Sequence, residues 1–388
     1  MAYVNESERV IRVLTYNEID RGEWSRLVQT SATGTWFQTP EAYEFFESMP
    51  ELFRPFVIGV AVERVNDLTN ERTLRGVCVG YVTVEKNPIK QYFTRRAIII
   101  GGPVIANDAT SEEVETLMIA VRNQFKILDL RFKILNSPIF IETRNFNDYS
   151  KWKGAFEKAG FEYKRHLNFH VDCTDKEKMW ERLSENRKRQ VRHVNGDFKF
   201  KISFPFGTIT SNLRFDKLSV TEQDVREWYE ILSELYRTKV KTPLWPVEFF
   251  VEAYRQGIGQ FMLVRHEGKI IGGSMVVRWN PNPSPSIKGR DVHGTVYEWF
   301  ECGLNAQYKE QYPSVMATYA GMCYAAEEGI GRYDMMGAGV PDVPYGVRDF
   351  KAEFGGQLVE HGRFVCVREP ILYKIGVLAV KMMKRMRG

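Results

Sequence analysis

The chain has five cysteines, Cys78, Cys173, Cys302, Cys323 and Cys366, and no two of them form a Cys-x-x-Cys pair. Their odd number and wide scatter exclude a disulfide framework and a cysteine-built zinc site. No bound metal is implied, and a reducing cytoplasm is the expected setting. Long apolar runs are also missing. Nothing approaches the ~18 residues that a membrane span needs, and the opening MAYVNESERV lacks the apolar centre of a signal peptide. A charge excess of one sign is nearly absent, with 54 basic against 49 acidic residues and a net charge of +5. That is far from the footprint of a dedicated nucleic-acid binder, so local clusters must meet any anionic partner. Nor does a Ser/His/Asp arrangement point to a nucleophilic triad.

What is present is apolar material for well-filled cores. Hydrophobic residues make up 44% and aromatics 13% of 388 residues, a length beyond what one core usually holds, which predicts two domains. Val10 to Tyr16 reads as a strand, residues 17–31 follow helical spacing through Ile19, Trp24, Leu27 and Val28, and Pro40 opens a second helix. Three β-rich runs come next: FRPFVIGVAVERV and RGVCVGYVTVEK, joined by a polar hairpin loop around Asn66 to Asn70, and then RAIII. A helix from Ser111 to about Leu128, the strand PIFIET, a helix over 148–159 and a long strand FEYKRHLNFHV follow. Residues 174–195 read as a helical connector.

The same order returns about 190 residues later, as a duplicated domain would show. After a strand drawn from within 198–220 come helices over 221–237 and 246–256, then strands QFMLVRHEG and KIIGGSMVVRW. The loop NPNPSPSIKGRD leads to strand HGTVYEWFE, a helix over 313–328 and strand RYDMM; a glycine-rich stretch, the long strand QLVEHGRFVCV and a final helix end the repeat. The expected fold class is α/β with mixed sheets, and a crossover helix in each unit implies a parallel strand pair at each sheet centre. The expected division is 1–173 and 174–388.

Three motifs stand out. GGPVI closes the third β-run of the first unit, and WERLSENRKRQVRH holds Trp-x-x-Leu followed by an arginine-rich run. YDMMGAGVPDVPYGVRDFKAEFGG, Tyr333 to Gly356, joins a Tyr-Asp strand to a glycine turn and Phe-Lys-x-x-Phe-Gly-Gly. With the doubled element order, these motifs resemble the FemAB-like family of the GNAT acyltransferase superfamily, bacterial proteins that add amino acids to cell-wall peptide precursors. The resemblance implies two tandem GNAT-like domains. It further implies an acyltransferase or aminoacyltransferase that forms an amide on an amine of a peptidoglycan or glycan precursor, in the cytoplasm or at the inner face of the membrane.

The Arg/Gln-x-x-Gly-x-Gly/Ala loop that holds a pyrophosphate in GNAT enzymes has no counterpart in CGLNAQYKEQYPS or GGPVIANDATS. Aminoacyl-tRNA therefore stands beside acyl-CoA as the expected donor substrate, and no tightly bound cofactor is expected. A non-catalytic protein binding such a precursor, or an RNA, at the membrane surface is the alternative.

The candidate residues each carry two readings. Phe350 and Phe354, four apart, face a core and turn Lys351 elsewhere. Lys351 is then either a solvated lysine or, by the resemblance, the cation that holds a phosphate or a developing oxyanion. Asp334 is either a base for the attacking amine, alongside Glu298 and Asp349, or a cap for the glycine turn. Arg187, Lys188, Arg189 and Arg192 form a basic run that is either a solvated helix face or a phosphate contact. Tyr345 and Arg348 are substrate-binding candidates on the glycine-rich stretch. Gly102 either turns a backbone N–H towards an acceptor or makes a tight strand exit. NPNPSPSIKGRD is a lid or a hairpin tip. In residues 370–388, Ile371, Leu372, Ile375, Leu378, Met382, Met383 and Met386 share a helical face that Lys374, Lys381 and Arg385 flank. This tail either lies on an anionic membrane or docks on its own domain.

Overall fold

The structure, a computed structural model, describes residues 8–66, 69–125, 137–195, 200–203, 220–281 and 291–386. It divides into two compact units, one of Met1–Arg165 with His361–Gly388 and one of His166–Glu360.

In the first unit β1 (Glu8–Leu14), β2 (Phe53–Asn66), β3 (Thr69–Thr83) and β4 (Ala97–Gly101) run antiparallel in turn. β5 (Val104–Ile105) pairs with β3, and β4 runs parallel to β6 (Phe140–Asn145). Helix α1 (Arg21–Thr30), capped by Asp20, begins four residues inside the expected 17–31 span, whereas helix α2 (Pro40–Glu47) begins where expected, with Pro40 at its first turn and the Thr39 hydroxyl accepting from the Ala42 N–H. A helix not foreseen, α3 (Pro88–Thr94), lies between β3 and β4, with Asn87 Oδ1 accepting from the N–H groups of Ile89 and Lys90. Asn-Pro is a start signal of the kind that opens such a helix. The crossover helix α4 (Ser111–Asn123) has a capping box of Thr110 and Glu113. Helix α5 (Lys153–Lys158) leads to β7 (Glu162–Lys164).

The expected long strand FEYKRHLNFHV is in fact two strands. β7 stays in the first sheet, while β8 (Asn168–Asp172) enters the second. Helix α6 (Lys176–Arg182), helix α7 (Glu185–Asn195) and β9 (Phe200–Ser203) follow. Helix α8 (Glu222–Leu235) and helix α9 (Val247–Arg255) precede the antiparallel β10 (Gly259–His266), β11 (Lys269–Trp279) and β12 (Asp291–Gly303). The crossover helix α10 (Pro313–Glu327) returns the chain to β13 (Ile330–Gly337), parallel to β12. Helix α11 (Gly346–Ala352) comes next.

The second expected long strand, QLVEHGRFVCV, also divides, into β14 (Gln357–Val359) of the second sheet and β15 (Arg363–Val367) of the first. The chain closes with α12 (Pro370–Met386). Most of NPNPSPSIKGRD, residues 282–290, and the centre of the expected 66–70 loop lie outside the described residues.

The two sheets therefore share one plan. Their strand orders are β1-β2-β3-β4-β6-β15-β7 and β9-β10-β11-β12-β13-β8-β14. In each, the strand beside the parallel pair comes from the other half of the sequence. β15 pairs antiparallel with β6 and β7, and β8 with β13 and β14. This reciprocal exchange corrects the expected division at 173 and 174: the chain changes unit after Arg165 and again after Glu360.

Candidate active site in the second unit

The site begins with an irregularity in β12. Met275 of β11 pairs with Phe300, but its neighbour Val276 pairs with Glu298, so Trp299 is an extra residue. In a regular strand Glu298 and Glu301, three apart, face opposite sides; the bulge turns both to one side. That side is covered by α10, where Thr318 and Ser314 are one turn apart. Thr318 Oγ1 donates to Glu298 Oε1 at 2.8 Å, and Ser314 is a hydrogen-bond partner of Glu301. Ser314 itself is held by Asn305, whose Nδ2 donates to Ser314 Oγ at 2.7 Å. Tyr333 on β13 donates its hydroxyl to Glu298 Oε1 at 2.9 Å. α10 comes close enough because it is lined with Ala317, Ala320 and Gly321; a Cβ at Gly321 would run into the Tyr333 ring.

Asp334 follows Tyr333 and faces the other side of the sheet. It stands opposite His170 in the β13–β8 pairing, with His170 Nε2 3.3 Å from its Oδ2. Its Oδ1 accepts from the Met336 N–H at 2.6 Å, so the turn-capping role is realised. Met336 has a left-handed φ of 58°, and here β13 loses register with β8. The Met335 and Gly337 carbonyls thereby converge on Lys351, whose Nζ donates to both, at 2.8 Å for Gly337.

Lys351 is therefore buried, 8% exposed, which corrects the expectation that the facing of Phe350 and Phe354 turns it away from the core. The glycine turn wraps over α11 and encloses the lysine, and no helical spacing encodes that enclosure.

The electrostatics follow from burial. Desolvation lowers the Lys351 pKa below the usual lysine value, although Glu298, Asp334 and Glu301 oppose it. Burial raises Glu298 against the pull of Lys351, Thr318 and Tyr333. Glu301 is pushed up to about 8 by burial and by the Glu298 charge; its Oε1 is buried without a hydrogen-bond partner. Burial also pushes Asp334 up, but His170, Arg332 and the Met336 N–H outweigh it and hold the carboxyl below its ordinary value. Carboxyl groups with opposite shifts thus act through their charge on one lysine at the carboxyl end of the parallel pair.

The basic run is less uniform than its sequence. Arg187 is buried on α7: its guanidinium lies 4.6 Å from the Phe350 ring centre and 5.0 Å from that of Phe354, and donates to the Phe350 carbonyl and Gln190 Oε1. It clamps α11. Lys188 pairs with Glu185 at 2.7 Å, Arg189 donates to Asn186 Oδ1, and Arg192 lies over Trp180. Arg189 and Arg192 present exposed side chains. Tyr345 precedes α11 and its carbonyl accepts from the Arg348 N–H, while the Arg348 guanidinium donates to the carbonyls of Ala338 and Val340. Gly102 belongs to the first unit. It has φ of 80°, and a Cβ there would approach Tyr149 Oη to 2.6 Å, the hydroxyl that donates to the Gly101 and Pro103 carbonyls. This geometry requires glycine at the strand exit.

Glu301, His170, Tyr333, Thr318 and Ser314 were not legible as site residues. Glu301 needed the bulge, and His170 falls in the half of the sequence assigned to the other domain. Among the described residues no group of three His, Cys, Asp or Glu side chains is arranged to hold a metal ion. The cysteines are all free and buried.

Doubled mixed sheets with crossover helices, and a polar cluster at the end of the parallel pair of the second, give the tandem α/β fold that the sequence led us to expect. A model of the FemAB family matches residues 292–381, the segment that carries Glu298, Glu301, Asp334 and Lys351. The crystal structure of FemX is similar at a TM-score of 0.59 with 12% identity, covering 95% of this chain and 99% of FemX, a likeness of fold. A conserved protein of unknown function from Bacteroides thetaiotaomicron aligns over 92% of this chain and all of its own length (100%), at 9% identity and a TM-score of 0.46. A GCN5-related N-acetyltransferase from Kribbella flavida aligns over 74% of this chain and 85% of its own, at 10% identity and a TM-score of 0.34. The last two scores are too low to bear on the argument. No curated protein matches the sequence. The chain thus resembles the FemAB family over residues 292–381 and FemX in fold.

Proposed function

We propose that this protein transfers an acyl or aminoacyl group to an amine of a cell-envelope precursor, with aminoacyl-tRNA or acyl-CoA as donor, and that the Lys351 cluster is the site. The observation that carries the reading is the buried Lys351, held by the Met335 and Gly337 carbonyls and under the charge of Glu298 and Glu301 inside the FemAB-matched segment, at the carboxyl end of parallel strands where open α/β sheets bind ligands. The amine attacks the ester or thioester carbonyl, its nitrogen forms the amide bond, and the donor's hydroxyl or thiol leaves. Glu301, raised to about 8, is ionised in a minority of molecules at neutral pH and is then a strong enough base to take the ammonium proton and pass it to the leaving group, so turnover should rise with pH up to about 8. Two of the three Lys351 N–H groups hold backbone carbonyls, which leaves one for the developing oxyanion.

The test supplies charged tRNA and acyl-CoA separately with envelope precursors and reads the amide product by mass spectrometry. Transfer from one donor is expected, with turnover reduced at least ~100-fold in Lys351→Ala. Full turnover by Lys351→Ala would remove the lysine from the mechanism. Donor affinity without product under any pairing would favour the non-catalytic binding protein. The salt dependence of donor binding separates the sources, steep for tRNA and shallow for acyl-CoA.

A further inference from the structure

Helix α12 carries apolar residues on two faces. Leu372, Tyr373 and Gly376 are half-buried on the first unit, where Tyr373 meets the Phe140 ring edge-on at 5.2 Å between centres. Gly376 approaches the Phe93 carbonyl of α3. The other face is open. Ile371, Ile375, Leu378 and Met382, spaced 4, 3 and 4 residues apart, form one stripe, with Ile371 at 76%, Leu378 at 54% and Met382 at 55% exposure. The neighbouring α3 adds a second exposed pair one turn apart, Ile89 at 73% and Phe93.

Charge identifies what covers this surface. α12 contains no aspartate or glutamate; the nearest acid, Glu369, precedes it. Lys374 is exposed beside the stripe. On α3, Lys90 pairs with Glu85 at 2.7 Å. A second copy of this face would oppose like charges across the seam, whereas an anionic bilayer complements them. We infer that α12, with Ile89 and Phe93 of α3, is a docking surface for an anionic lipid membrane, lying in the interface without spanning it. Among the described residues no helix is long and apolar enough to cross a bilayer. The inference concerns the first unit and stands whatever reaction the second performs.

The test is sedimentation of the full chain with phosphatidylcholine vesicles, with and without phosphatidylglycerol. Binding is expected to the anionic vesicles and to weaken with salt. The Ile375→Asp/Leu378→Asp double variant should bind at least ~10-fold more weakly with an unchanged melting temperature. Lys374→Glu should reduce the preference for phosphatidylglycerol. If the double variant does not fold, Ile371→Asp at the most exposed position replaces it. Equal binding by variant and wild type, or no binding to either vesicle, would overturn the proposal. So would a dimer that the double variant dissociates, since a second copy would then cover the stripe.

Discussion

Glu301 shows how much a single residue depends on its surroundings. Its carboxyl is raised to about 8, mainly by burial and then by Glu298, against an ordinary value of 4.5. Between those two values the folded chain keeps a proton that the unfolded chain has lost. Stability therefore falls as pH rises through the window, by up to about 1.4 kcal/mol per pH unit. Glu301→Gln stays neutral, so its melting temperature should gain on the wild type from about pH 5 to about pH 8. Parallel pH profiles in thermal melts would show that Glu301 ionises freely in the folded state. With substrates in hand, the same substitution should lower kcat by about 100-fold and remove the pH limb near 8. Lys351 has the opposite history. Its sequence neighbours suggest an outward lysine, yet two carbonyls presented by the left-handed Met336 draw it inside.

At the scale of elements, the bulge in β12 and the clamp on α11 position the site. α11 is short, and besides its Arg348 and Lys351 bonds to the preceding turn, Arg187 of α7, stacked on Phe350 and Phe354, ties it down. Arg187→Ala leaves those rings without their cation and the Phe350 carbonyl without its donor. It should cost about 2–4 kcal/mol in denaturant unfolding. Arg189→Ala, on the exposed side of the same helix, should stay within about 0.5 kcal/mol of wild type. If tRNA is the donor, it should also reduce the slope of log affinity against log salt by about one. A loss of stability for Arg189→Ala like that for Arg187→Ala would contradict this division of labour. Four basic residues within a few positions gave no hint of it, because which of them points inward depends on what packs against the helix.

For the whole molecule the reciprocal exchange of β8 and β15 is the organising fact. The first unit needs residues beyond 360, because β15 lies between β6 and β7, Phe364 stacks on Phe156 at 4.1 Å, and Arg363 pairs with Glu142 at 2.6 Å. A chain ending at Glu360 should lose cooperative melting and amide protection in β6 and β7. A chain ending at Glu369 keeps β15 and should retain both. Wild-type melting by the shorter chain would show that β15 is dispensable.

The sequence by itself determined the α/β class, the duplication, most helix starts and the motif that leads to Lys351. Those features rest on local spacing, caps and turn residues, which act within a few positions of the chain. Only the tertiary structure decided which strand joins which sheet, that Glu298 and Glu301 share a face, that His170 meets Asp334, and which arginine is buried. Each of these depends on pairing between segments far apart in sequence, where one extra residue or one crossing redirects every side chain that follows.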